Sequence, residues 1–113
     1  MGPLTEKLCT VLTELEELLA ASGEVSWRQW IAHDLQGIRS GDIGGVDHFL
    51  SACGGMGSLN DLVLHPSNGH RLALADVDAV NTELRTLLST AWQLAREVRS
   101  AAVIEDGPDS AER

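Results

Sequence analysis

Two histidines, His65 and His70, bracket the run Pro66-Ser67-Asn68-Gly69, and Asp61 precedes them. Imidazole and carboxylate are ligands for divalent metals, and a tight turn would bring all three near one another. The spacing matches no zinc pattern, so no metal is expected. Just upstream, Ala52 to Asp61 reads ACGGMGSLND. A glycine-rich run of this kind can curl its N–H groups into a nest for an anion or a partner's side chain, with Ser58, Asn60 and Asp61 beside it. It has neither the Gly-Lys-Ser/Thr of a phosphate loop nor the preceding strand of a dinucleotide fingerprint, and a sharp corner is the simpler reading. His33-Asp34 and Asp47-His48 are sequence neighbours that point in different directions on a helix, so neither is a dyad by itself. No serine sits in a nucleophile elbow, and Cys53 has no evident base. No catalytic residue, metal or cofactor follows from these patterns, and the chain reads as a non-enzyme.

Binding is the other chemistry that side chains can carry. Trp27, Trp30 and Trp92 are three of only four aromatic residues, Phe49 being the fourth. Trp27 and one other are expected in the core. Trp92 lies beside the Ala91 seam position rather than on it, which makes it the candidate exposed anchor. Glu6, Glu14, Glu16 and Glu17 form an acidic outer face on the first helix.

The whole chain has 17 acids against 8 bases, a formal net charge of −9 over 113 residues. Such a field repels nucleic-acid backbones and anionic lipid and favours a basic protein as partner. No window is long and apolar enough for a membrane span. The amphipathic start, with Glu6 and Lys7, is unlike a signal peptide, and the expected location is the cytoplasm with Cys9 and Cys53 as free thiols.

The elements that must position these residues are helical. Leu4, Leu8, Val11, Leu15 and Leu18, widened by Leu12 and Leu19, mark a first helix over 4–22, stopped by Gly23. Ser26 with Gln29 predicts a capping box for a second helix, with Val25 and Trp30 as its hydrophobic staple. Trp27, Ile31, Leu35 and Ile38 share one face. Asp42 caps a short third helix with Ile43, Val46, Phe49, Leu50 and Cys53 inward, weakened by Gly44 and Gly45. Ser58 would cap a single turn. Leu62-Val63-Leu64 and Arg71-Leu72-Ala73 flank the Asn68-Gly69 turn and predict paired extended arms or a hairpin. Asp76 opens the last and longest helix, with Val77, Val80, Leu84, Leu87, Ala91, Leu94, Val98 and Ala101 at heptad spacing. The fold expected is mostly α: a compact four-helix arrangement with a short extended arm or β-hairpin between helices three and four. Residues 1–102 form the domain and 103–113 a disordered acidic tail.

The runs GGMGSLND and LVLHPSNGH, with WRQWIAHDLQGIRSGD upstream and VNTELRTLLSTAWQLA downstream, cover roughly residues 24–96. This pattern resembles a family of small bacterial proteins classed as a domain of unknown function, which implies no reaction, cofactor or site. The small acidic form is similar in style to immunity proteins of bacterial toxin systems. The expected function is therefore a non-catalytic protein-binding domain of immunity type, neutralising a basic toxin. Its contacts would come from Ser58, Asn60, Asp61, His65, His70, Trp92, Glu14, Glu16 and Glu17. The alternatives are a small-ligand-binding or hydrolytic domain centred on 54–70, or a helical homodimeric scaffold.

Overall fold

The computed structural model describes residues 2–54 and 58–106. Among these residues there are four α-helices: α1 (Pro3–Ala21), α2 (Val25–Arg39), α3 (Gly44–Ala52) and α4 (Val77–Asp106). They pack in a closed ring, α1 against α2 and α4, and α3 against α2 and α4. Inside it lie Leu8, Leu12, Leu15 and Leu19 of α1, Ile31, Leu35 and Ile38 of α2, Phe49 of α3 and Leu84 of α4, none more than 2% exposed. The mostly-α class follows from that periodicity. No helix among the described residues is long and apolar enough to cross a membrane.

The buried line of α4 keeps Leu84, Ala91 and Val98 of the heptad seam and replaces the alternate positions with their C-terminal neighbours Asn81, Leu88 and Ala95. Asn81, Leu84, Leu88, Ala91, Ala95 and Val98 are buried, while Val80, Leu87 and Leu94 are half-buried at the edge. α4 is packed from two sides, by α1 and by α3, so the centre of its stripe falls between them. α4 runs through 103–106, into the segment read as a tail, and Gly107 to Arg113 lie outside the described residues. Gly55, Met56 and Gly57 also lie outside them, and with them the choice between corner and nest.

Three local expectations are corrected. α2 begins at Val25, and its cap is Glu24, whose Oε2 accepts from the Trp27 N–H at 3.0 Å. Ser26 therefore falls inside the first turn, and Val25 is 61% exposed and staples nothing. Glu24 takes the role because His70 holds its other oxygen. Ile43 is exposed rather than inward, but Asp42 does cap α3, its Oδ1 accepting from Gly44 N–H at 2.8 Å. Finally, no β-hairpin forms between α3 and α4 among the described residues. Leu62–His65 and His70–Ala73 are extended around a single 3₁₀ turn, Pro66–Asn68, with Gly69 at φ 85° closing it. Beyond the His65–His70 pair that closes the turn, the arms bond outward and not to each other. Leu64 is clamped by Asn81 of α4, and the Arg71 N–H donates to the Ser22 carbonyl at 2.8 Å. Once those groups are satisfied elsewhere, no ladder can propagate.

Candidate functional site

Asp34 stands on the inward stripe of α2, in step with Ile31 and Ile38, and is fully buried. A buried carboxylate needs partners. Its Oδ1 lies 2.5 Å from Nδ1 of His48 on α3 and 3.8 Å from Nδ1 of His33. Its Oδ2 is buried with no hydrogen-bond partner among the described residues. Burial pushes the Asp34 carboxyl above its usual range, and the His48 hydrogen bond only partly offsets that. The ring of His48 stacks on the Trp30 indole, 4.0 Å between centroids and 10° from parallel, and His33 meets His48 edge-on at 5.8 Å. Trp27 packs on Trp30 in turn.

Gly45 makes this meeting possible. A β-carbon there would lie 2.9 Å from the Asp34 carbonyl oxygen and 3.0 Å from Ile38 Cγ1. The glycine that weakens α3 as an isolated helix is what lets α3 cross α2 closely enough to seat His48. The close pairing joins the second residue of His33-Asp34 to the second residue of Asp47-His48, across two helices. Two signals pointed to it: an acid on an apolar stripe, and paired glycines in a short helix. Cys53 lies near the same carboxylate, but burial, aided by the Asp34 charge, pushes its thiol up to about 11, opposite to what a nucleophile needs.

The residues expected to bind a partner do not all gather on one surface, although His65 meets His70 and Asn60 shares a depression with Trp92. His70 is 7% exposed in its side chain, its Nε2 2.9 Å from Glu24 Oε1, while its Nδ1 accepts from the His65 N–H at 3.1 Å. His65 Nδ1 accepts from the Ser67 N–H at 3.0 Å. The two histidines are thus brought together, as expected, but as braces of the turn. The exposed Asn60 donates through Nδ2 to the Cys53 carbonyl, Asp61 is exposed, and Ser58 is half-buried with no partner for its hydroxyl among the described residues.

Trp92 is 37% exposed and shares a depression of about 330 Å³ with Asn60, Arg85 and Leu88. The Arg96 guanidinium lies 4.8 Å over its ring. Arg85, Trp92, Arg96 and Arg99 recur at spacings of seven, four and three and therefore run down one side of α4; Arg99 also reaches Asp47 of α3 at 2.5 Å. Trp92 sits in a locally basic setting. Glu14 and Glu17 are exposed on α1, and Glu16 is half-buried, 3.6 Å from Arg28. Beside Glu14 a groove of about 700 Å³ runs between α1 and α4, with Val11 and Leu94 half-buried along it and Lys7, Thr90 and Gln93 at its edges.

No curated protein and no solved structure matches the chain. Residues 20–73, from the end of α1 through the arm, match the model of a family described as a domain of unknown function (DUF6966), a span that holds the Asp34 cluster and stops short of α4.

Proposed function

We propose that this is a non-catalytic protein-binding domain whose partner is a basic protein, in the manner of an immunity protein that neutralises a toxin, and that the contact lies along the α1–α4 groove. The observation that carries this reading is the groove's composition: an apolar floor of Val11 and Leu94, with Glu14 and Lys7 on its rim. Such a surface suits an amphipathic segment that buries aliphatic side chains and places a base against the acid. The net charge of −9 would steer a basic partner towards it. Trp92 does not belong to this contact, because Arg85 and Arg96 beside it would repel the same partner.

The ligand-binding or hydrolytic alternative is disfavoured by the use already made of its side chains, since His65, His70 and Asn60 hold the arm and turn in place. The test is capture of binding proteins at low salt by the wild-type chain and by Thr90→Arg, which fills the groove from an exposed position. A basic protein retained by the first and lost with the second supports the reading. Retention by both overturns it, and a dimer in light scattering that Thr90→Arg dissociates reassigns the groove to a second copy of the chain.

A further inference from the structure

We infer that His33, Asp34 and His48 form a binding site for a divalent transition metal ion of the zinc, cobalt and nickel class. One donor atom from each residue lies within 4.8 Å of the other two. Two imidazole nitrogens and one carboxylate oxygen suit these ions better than magnesium or calcium, which prefer all-oxygen shells. The set does not include Asp61, His65 or His70, for which no metal is expected from their spacing; His70 is committed to Glu24.

Four features point to a cation rather than to a pair satisfied by itself. First, Asp34 is wholly buried, and its Oδ2 has no hydrogen-bond partner among the described residues. A buried carboxylate with unused acceptor capacity is costly, and a cation beside it relieves that cost. Second, access is open from one side only. The side chains of His33 and His48 are 81% and 44% exposed, whereas Asp34 is closed off beneath them. Three protein ligands with an open fourth position, taken by water or by a donor from a partner, is a familiar zinc geometry. Third, the two helices that carry the donors are held at close approach by Gly45, which limits how far the site can relax. Fourth, the stack on Trp30 fixes the plane of the His48 ring.

Metal binding requires both imidazoles to adjust: His33 Nδ1, 3.8 Å from Asp34 Oδ1, must close by roughly 0.5 Å, and the His48 ring must open. His48 Nδ1 and Asp34 Oδ1 are 2.5 Å apart, and two donors on one tetrahedral zinc lie roughly 3.3 Å apart. The His48 ring must slide outward along the Trp30 face by roughly 0.8 Å, with its Nδ1 proton passing to solvent as the metal takes its place. The half-exposed ring has room to do so. No residue of this site lines the α1–α4 groove, so the two assignments stand or fall separately.

The experiment is titration of the untagged full chain with Zn²⁺ and with Co²⁺, read by tryptophan fluorescence and by the visible ligand-field bands of Co²⁺. Saturable binding of one ion per chain is expected. His33→Ala should weaken it about tenfold or more without moving the melting temperature, since the ring is exposed. His33→Cys should restore binding and add a thiolate-to-cobalt charge-transfer band. His65→Ala should bind as the wild type does. Failure of the wild type to bind either ion saturably would overturn the site, as would unchanged affinity in His33→Ala or a His33→Cys–cobalt complex without the charge-transfer band.

Discussion

Gly45 lies so close to Asp34 that a β-carbon on it would meet the Asp34 carbonyl oxygen at 2.9 Å, a contact that backbone on both sides cannot yield without moving a helix. Gly45→Ala should therefore destabilise the fold by about 1–3 kcal/mol, despite alanine's better helix propensity. Gly37, in mid-α2, faces nothing nearer than 3.9 Å. Gly37→Ala should stabilise by roughly 0.5–1 kcal/mol. Urea midpoints of the two variants should shift in opposite directions. Equal shifts of the same sign would refute the close-crossing account.

Asn81 carries the only side-chain clamp on the arm that is itself buried among the described residues. Its Oδ1 accepts from the Leu64 N–H and its Nδ2 donates to the Leu64 carbonyl, each at 2.8 Å. Leu64 is fully buried, so Asn81→Ala would strand both backbone groups without water. A loss of about 2–4 kcal/mol is expected. Hydrogen exchange should show the Leu64 amide losing protection, and an unchanged protection factor would show that the arm is held by packing alone.

Glu24 makes the fold sensitive to acid. Burial pushes its carboxyl up, but the Trp27 N–H and the His70 hydrogen bond together outweigh that and hold it below its ordinary value of 4.5. A carboxyl lowered in the folded state contributes stability that is complete above its unfolded value and fades as pH falls through the lower folded value. The wild type should thus lose more stability than Glu24→Gln between about pH 6 and pH 3. Parallel pH–stability curves would show that the pair contributes nothing.

The thiols should be silent in the native protein. Cys9 and Cys53 are buried and both are pushed up by burial, Cys53 to about 11. At pH 8 roughly one Cys53 in a thousand is thiolate, and that one is shielded. A chromogenic disulfide reagent should react slowly with native protein and promptly with both cysteines in denaturant. Rapid native labelling of Cys53 would point to frequent opening of the α3 end.

In the acidic face, charge should affect rate more than affinity. Glu14 and Glu17 are exposed, whereas Glu16 is half-buried beside Arg28. Replacing Glu14 and Glu17 with glutamine should slow association with a basic partner several-fold at low salt and leave the dissociation rate nearly unchanged. An effect confined to dissociation would mean that these acids are packed contacts.

Periodicity by itself determined much of this protein. The leucine spacing of α1, the Ile31–Leu35–Ile38 face of α2 and the long run of α4 each specify a helix and the side it buries, because a helix repeats every few residues within its own segment. Turn chemistry placed the Pro66–Gly69 reversal for the same local reason. What lies between segments was decided by tertiary packing. Whether Leu62–Ala73 pairs with itself depends on whether Asn81 and Ser22 take its backbone groups first. Whether Gly45 is a weakness or a contact depends on the helix opposite it. The gathering of His33, Asp34 and His48 around one buried carboxylate comes from the crossing of α3 on α2. An acid on an apolar stripe announces that it needs a partner; only the packing of α3 on α2 decides that the partner is His48.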